Sequence, residues 1–486
     1  LLYFMKFSIS AEKFFNAVNK LNYVVPGSSH TTLPIITNLY FKLSGNNLSM
    51  VSTDLEAFIT TDLNVDGEED GGTAVPAKKL LELLKAMIIK NESVVVGVPF
   101  NKEIFGLLSG EGLLPEINLY SIKYDKNKEV LEYKGSLPEE TFEGLKEEFR
   151  LFREKIGTIP SEELKKEFNK LEKAVTELGK VAVAAFTKHT EKLKIKFEAN
   201  DKFKISVHSK NGKYSFFGEP IEDFPLPQEK PDMSKINISG ANFKKFLQKV
   251  KHSVKNDEIR RNMAGVFIDL RKNELRFVAT DGFRLAKVIT TDFSHTNSKD
   301  ENFILPIKTV DLLPKVVSES NIILEFDNVM IKCSMDNFHV YSKLIDDTFP
   351  NYESVIPKDN DKKLLINRYD LISALRRAVI FTDSVTKKIK FEISGDELKI
   401  KSDNPEIGGE GEETLKCDFK TNNGEDIAED FSIAFNVSYL LDCLSQIETD
   451  EVLFTFSAPA KASIILPVAS LSEENYMELI MPVRVG

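Results

Sequence analysis

Apolar and polar positions along the chain change period in a regular way. Phe14, Val18 and Leu21 recur at helical spacing inside Ile9 to Val25, with Ser10 as the expected N-cap. Alternating runs follow at Leu39 to Leu43 and Leu48 to Val51 around Gly45-Asn46-Asn47. Ser52-Thr53-Asp54 leads into Ala57 to Leu63, an acidic, glycine-rich loop is expected over Asp66 to Gly72, and Pro76 opens a second helix, Lys78 to Ile89.

The same order returns further on. Ser239 opens a helix whose Phe243, Leu247 and Val250 match Phe14, Val18 and Leu21 at a constant offset of 229. Strands Val266 to Leu270 and Leu275 to Val278 lead to Thr280-Asp281, and Pro306 opens the next helix. A fainter third copy has the helix Arg368 to Ile380 with Leu371 and Leu375 on one face. Its strands Lys390 to Ile393 and Leu398 to Lys401 lead to Ser402-Asp403, and its second helix is Asn436 to Ile447. The unit is helix, strands, helix, strands, so the fold class is α+β with three repeated domains. The expected boundaries are 5–229, 230–357 and 358–486.

Spacing exposes an insertion. Asp281 and Asp403 are 122 residues apart but Asp54 and Asp281 are 227 apart, a surplus of 105. Pro76 to Pro225 exceeds Pro306 to Pro350 by the same 105. An insert at about 98–190 therefore interrupts the first repeat. It reads as mostly helical. Ser136 with Glu139 forms a capping-box pattern, Gly157 to Pro160 breaks the chain, and Ser161 caps a second helix, giving an αα-hairpin. Such an insert either packs on itself as an outgrowth or adds a docking surface.

The most strongly marked stretch is Phe277 to Thr290, two alternating runs joined by Thr280-Asp281-Gly282. Asp281 is expected to shape this turn by accepting from nearby backbone N–H groups rather than to act as an acid or base.

Composition alters this picture little. The 486 residues carry 29% charged and 42% hydrophobic residues, as a globular chain does. No apolar run is long enough to span a bilayer, and no export signal opens the chain, so a cytoplasmic location is expected. Leu1 to Phe4 read as residues ahead of a native start at Met5, and Gly486 as one residue past the usual end. Cys333, Cys417 and Cys443 are scattered and odd in number, which fits a reducing compartment without disulfides or a cysteine-based zinc motif. The six histidines show no ligand spacing, and no metal or cofactor is expected. No phosphate-binding glycine loop or nucleophile–base set is present, so no catalytic residues are assigned.

Charge matters through its distribution. The chain is −11 overall, yet the six repeat helices together carry +11, leaving −22 elsewhere. The segment 241–255 alone has five lysines and no acid. One basic helix face is ordinarily just solvated. A bias over five of six equivalent helices, gathered on one surface, makes a surface for phosphates.

Several motifs resemble the bacterial sliding clamp family, the β subunit of DNA polymerase III. They are Ala279 to Ala286, Asp347-Thr348-Phe349-Pro350-Asn351-Tyr352, Phe435 to Leu441 and Met481-Pro482-Val483-Arg484. The resemblance covers nearly all of 5–97 and 191–486 but not the insert. It implies three clamp domains per chain and a head-to-tail homodimeric ring around double-stranded DNA, bound without sequence preference. It implies a non-catalytic processivity factor that tethers the replicative polymerase, the clamp loader and other proteins with short clamp-binding motifs. The alternative is a clamp-derived interaction scaffold whose insert alters or blocks ring closure.

The resemblance also implies residue roles. A partner-peptide cleft would use Met263, Thr280, Gly282, Phe283, Arg284, Leu285, Pro350, Val355, Tyr439, Met481, Pro482, Val483 and Arg484. Ordinary strand packing is the plain alternative for Phe283 and Leu285. The DNA-facing residues would be Lys78, Lys79, Lys85, Lys244, Lys245, Lys249, Lys251, Lys255, Arg261, Arg376 and Arg377. Lys213, Tyr214 and Phe216 would meet Ile380 and Phe381 of a second chain. The family commonly has histidine at the position of Phe283, and methionine and leucine at those of Val483 and Val485.

Overall fold

The computed structural model describes residues 4–88, 94–99, 122–125, 130–135 and 194–484, with Lys173 and Glu177, and omits 28, 30, 229, 231–232, 256–258, 297–298, 405–407, 428 and 469–474. Two compact units are present, Leu1–Leu226 and Pro227–Gly486.

Within the described residues, strands feed directly into helices. In the first unit Met5–Ser10 runs into α1 (Ala11–Asn22) and Gly71–Pro76 into α2 (Ala77–Ile88). In the second, Ser234–Ser239 enters α3 (Gly240–Lys251) and Glu301–Pro306 enters α4 (Ile307–Val316). Lys362–Asn367 enters α5 (Arg368–Ala378) and Phe431–Asn436 enters α6 (Val437–Ser445). Ser239, Asn367 and Asn436 cap their helices by accepting backbone N–H bonds. Ser10 stands at the equivalent position, but its buried hydroxyl makes no such bond. The helical spacing seen in sequence marks the buried faces: Phe14, Val18 and Leu21 on α1, and Phe243, Leu247 and Val250 on α3.

The core of the first unit is aromatic. Phe7 stacks on Phe197 at 5.0 Å and meets Phe14 edge-on at 5.8 Å. One sheet runs Gly212–Phe217, Lys204–Ser209, Lys194–Ala199, Met5–Ser10, Asp66–Glu69. The acidic stretch from Asp66 is thus an edge strand and not the expected loop. Its carboxylates face lysines: Glu68 pairs with Lys6 at 2.8 Å and with Lys196 at 2.9 Å, and Asp66 with Lys194 at 3.2 Å. Cross-strand charge pairing compensates for residues with little strand preference.

Inside the insert the chain forms Ile122–Asp125 and Val130–Gly135, which pair antiparallel with each other, and the second of these also pairs with Val94–Pro99. That three-stranded sheet is an addition to the mostly helical expectation. The expected αα-hairpin lies outside the described residues, apart from Lys173 and Glu177, which are helical.

The second unit is built on a nine-stranded antiparallel sheet. Its order is Glu301–Pro306, Gly265–Arg271, Glu274–Thr280, Arg284–Thr290, Asn475–Ile480, Ser463–Pro467, Glu451–Phe456, Lys362–Asn367, Asp418–Thr421. The middle and last repeats meet where Arg284–Thr290 pairs with Asn475–Ile480, in the register Arg284↔Ile480 to Ile289↔Asn475. A four-stranded sheet ends at the edge strand Gly409–Lys416.

No helix among the described residues is long and apolar enough to cross a membrane.

Candidate functional site

The turn after Thr280 is held by its own side chains. Asp281 Oδ1 accepts from the backbone N–H of Phe283 at 2.8 Å and of Arg284 at 3.0 Å. Thr280 Oγ1 donates to the Arg284 carbonyl at 2.7 Å and accepts from Gly282 N–H. Gly282 has φ +90, a conformation that suits glycine. The first repeat uses the same device: Asp54 accepts from Glu56 and Ala57, and Thr53 donates to the Ala57 carbonyl. There the left-handed residue is Leu55, at φ 76. Asp281 is therefore a turn former.

That turn pushes Phe283 out, leaving it 55% exposed. The Phe283 carbonyl accepts from Met481 N–H at 2.8 Å, which ties the turn to the C-terminal segment. Phe283 stacks against Tyr439, with centroids 6.3 Å apart. Met481 is itself exposed, and Val483 N–H donates to the Ala434 carbonyl, which pins the tail beside α6. Phe283, Tyr439 and Met481, from the middle and last repeats, thus form one apolar platform. Val355 stands exposed on the turn Tyr352–Val355, Pro350 and Pro482 are half-buried, and Arg484 is exposed.

The remaining expected cleft residues have inward roles. Leu285 is in the core with Val278, Phe349 and Leu479, so strand packing accounts for it. Met263 and Thr280 are also buried. Arg284 is 9% exposed, and three of its donors are engaged within the protein. Nε donates to Asp281 at 3.1 Å, Nη1 to Asp442 at 2.6 Å and Nη2 to the His252 carbonyl at 2.5 Å. Its guanidinium also lies 4.5 Å from the Tyr439 ring centre. Arg284 braces the platform from below. Burial works against its charge, but the hydrogen bond to Asp442 and the nearby carboxylates outweigh that and raise its pKa.

The platform's flank is fixed by the Asp347 to Tyr352 segment. Phe349 stacks on Phe267 at 4.6 Å. Tyr352 donates its hydroxyl to Asp269 at 2.8 Å and accepts from Arg276 at 3.1 Å. Burial is the main reason its phenol is pushed up to about 12.

The expected DNA-facing residues divide. Lys78, Lys79, Lys85, Lys251, Arg261 and Arg376 are exposed, and Lys244, Lys245 and Lys255 are half-buried. Lys251 pairs with Asp311 at 3.4 Å, Lys245 approaches Glu448 at 3.8 Å, and Arg377 pairs with Glu413 through Nε at 2.6 Å and Nη2 at 2.8 Å. Lys249 is a correction. It is 8% exposed, with its ammonium 5.1 Å from the Tyr476 ring centre, because its helical position points at the sheet.

The expected interface residues divide too. In the first unit Lys213 and Tyr214 are exposed on the edge strand Gly212–Phe217, but Phe216 is 8% exposed, packed inward opposite Ile205. Phe217, 68% exposed, is the outward aromatic that sequence reasoning missed. In the second unit Ile380 and Phe381 are exposed, as is the unassigned Val385.

One cluster had no sequence signal. His252, Cys443 and Glu478 come together from three distant segments, their potential ligand atoms all within 4.8 Å of one another.

Family models described as the N-terminal, central and C-terminal domains of the DNA polymerase III beta subunit match residues 5–105, 237–351 and 353–484. A beta sliding clamp from Rickettsia bellii is 29% identical over 290 residues, covering 58% of this chain and 75% of its own. One from Vibrio cholerae is 24% identical over 486 residues, covering 99% and 100%. Among solved structures, a Pseudomonas aeruginosa sliding clamp superposes with a TM-score of 0.71 at 21% identity, covering 99% of this chain and 100% of that one. The DNA polymerase III beta subunit of Thermotoga maritima gives 0.69 at 18% identity, with the same coverage.

Proposed function

The chain belongs to the DNA polymerase III beta-subunit family, and from that membership we propose how its residues divide the work of a DNA sliding clamp. The protein is a non-catalytic processivity factor with three clamp domains. It binds DNA, assembles as a homodimer and engages the polymerase and other partners that carry clamp-binding motifs.

The observation that carries the division is the Met481–Phe283 backbone bond, which makes one exposed platform from two repeats. A linear partner motif brings apolar anchors onto Phe283, Tyr439, Met481 and the neighbouring Val355, Pro482 and Val483. Aromatic and methionine surfaces accept such anchors with little strain. Arg484 is the exposed cation for a motif's carbonyl or acidic residue, while Arg284 holds the floor.

DNA falls to the helices. Lys78, Lys79, Lys85, Lys244, Lys245, Lys251, Lys255, Arg261 and Arg376 supply phosphate contacts that read no sequence. Such contacts exchange with water and ions, so a closed ring slides while its topology prevents release. The ring closes head to tail. The edge strand Gly212–Phe217 of one chain, with Lys213, Tyr214 and Phe217, meets the edge strand Gly409–Lys416 and the exposed Ile380, Phe381 and Val385 of the other. Among the described residues Gly212–Phe217 is a sheet edge with exposed Tyr214 and Phe217, and such an edge left uncovered invites aggregation. The domain limits 5–229, 230–357 and 358–486 and a cytoplasmic, nucleoid-associated location belong to the same reading.

Light scattering of the purified chain tests closure. A two-chain mass that falls to one chain with Phe217→Asp or Ile380→Asp supports it. A monomer that dimerises only when the insert at about 98–190 is deleted supports the scaffold reading instead.

A further inference from the structure

His252 follows the last turn of α3, Cys443 lies on α6 and Glu478 on the strand Asn475–Ile480. The first belongs to the matched central domain and the other two to the C-terminal domain. We propose that these three residues form a site for one divalent transition-metal ion of the Zn2+ class, which fastens the two domains beneath the platform.

Geometry comes first. The potential ligand atoms lie within 4.8 Å of one another, and His252 Nε2 is 3.0 Å from Glu478 Oε1. Tetrahedral zinc, with bonds of roughly 2.0 to 2.3 Å, holds its ligand atoms ~3.3 to 3.8 Å apart, so small side-chain adjustments close the set. An imidazole, a thiol and a carboxylate together suit a borderline ion such as Zn2+ or Co2+ rather than a hard one.

Burial and charge supply the independent argument. Glu478 is 0% exposed, and its Oε2 has no hydrogen-bond partner. A wholly buried carboxylate with an unmet oxygen is costly unless a cation balances it. The nearby Arg284 already serves Asp281, Asp442 and the His252 carbonyl. A divalent ion with the Cys443 thiolate and the Glu478 carboxylate is neutral overall, which is the arrangement an enclosed site tolerates. The surroundings are prepared for it. The Tyr476 hydroxyl donates to Glu478 Oε1 and lies 3.2 Å from the Lys249 carbonyl, which orients the carboxylate and leaves its Oε2 for the ion. Such supporting bonds fix the orientation of metal ligands. Binding displaces the proton of the Cys443 thiol and changes no oxidation state.

The position gives the site a consequence. Arg284 donates to the carbonyl of His252 itself, so an ion at this point stiffens the support of Phe283 and Tyr439.

The test uses the full-length protein, stripped with chelator, kept reduced and titrated with Co2+. The expected result is one equivalent per chain with a thiolate-to-cobalt charge-transfer band, removed by added Zn2+, and a melting temperature that rises with Zn2+ concentration. Cys443→Ser abolishes the band, Glu478→Gln weakens binding about tenfold or more, and Cys333→Ala with Cys417→Ser leaves both unchanged. The unmodified protein decides the matter even where a variant fails to fold. Absence of the band at saturating Co2+ overturns the proposal, as does a band that survives in folded Cys443→Ser.

Discussion

Met481 donates its backbone N–H to the carbonyl of Phe283 at 2.8 Å, and both side chains are left facing solvent. Burying 55% of a phenylalanine and 39% of a methionine can supply only part of a partner's affinity. Phe283→Ala or Met481→Ala is expected to weaken a fluorescent clamp-binding peptide by roughly tenfold, or about 1.4 kcal/mol. The melting temperature stays within a few degrees, because neither side chain is in the core. Peptide anisotropy and thermal unfolding, measured on the same samples, check both halves.

Arg284→Ala differs in kind. It strands Asp281 and Asp442 and removes a donor from the His252 carbonyl. Asp442 is half exposed, so part of that pairing is screened by water. A loss of about 2 kcal/mol or more in denaturant unfolding is expected. Loss of partner binding in this variant then follows from a disturbed floor. An Arg284→Ala protein as stable as the parent contradicts this assignment.

Tyr352 predicts an alkaline effect. Burial first, and then its bond to Asp269, raise the phenol from 10.0 to about 12, against an opposing contribution from Arg276. A group whose folded pKa is raised contributes stability that is complete below the unfolded pKa and is lost as pH climbs through the folded one. The window is therefore pH 10 to 12. Tyr352→Phe is expected to be less stable by ~1 kcal/mol at pH 8, from lost hydrogen bonds. The gap between parent and variant narrows above pH 10. Urea unfolding at pH 8, 10 and 11 tests it, and a constant gap counts against it.

Features set by local physics were legible in the sequence. The buried faces of α1 and α3 follow helical spacing, and the Asp281 turn follows from an Asp–Gly pair between alternating runs. Features set by long-range register were not. Lys249 looks like its basic neighbours until the sheet behind α3 is known, where Tyr476 covers it. Phe216 and Phe217 are adjacent aromatics, and only the pairing of Phe216 with Ile205 decides which one turns inward. The strand from Asp66 is stabilised by lysines 128 residues away, invisible to any local pattern. His252, Cys443 and Glu478 carry no ligand spacing because three separate elements bring them together.

The most direct measurement of the clamp reading is retention on DNA of different topology. Labelled protein is loaded by its cognate loader onto nicked circular duplex and passed through a sizing column, before and after a restriction cut. The account predicts co-elution with the circle in moderate salt and release once the circle is linearised. It also predicts weakened retention when Lys78, Lys79 and Lys85 are neutralised together. Retention that is indifferent to linearisation, or absent on the intact circle with an active loader, contradicts it.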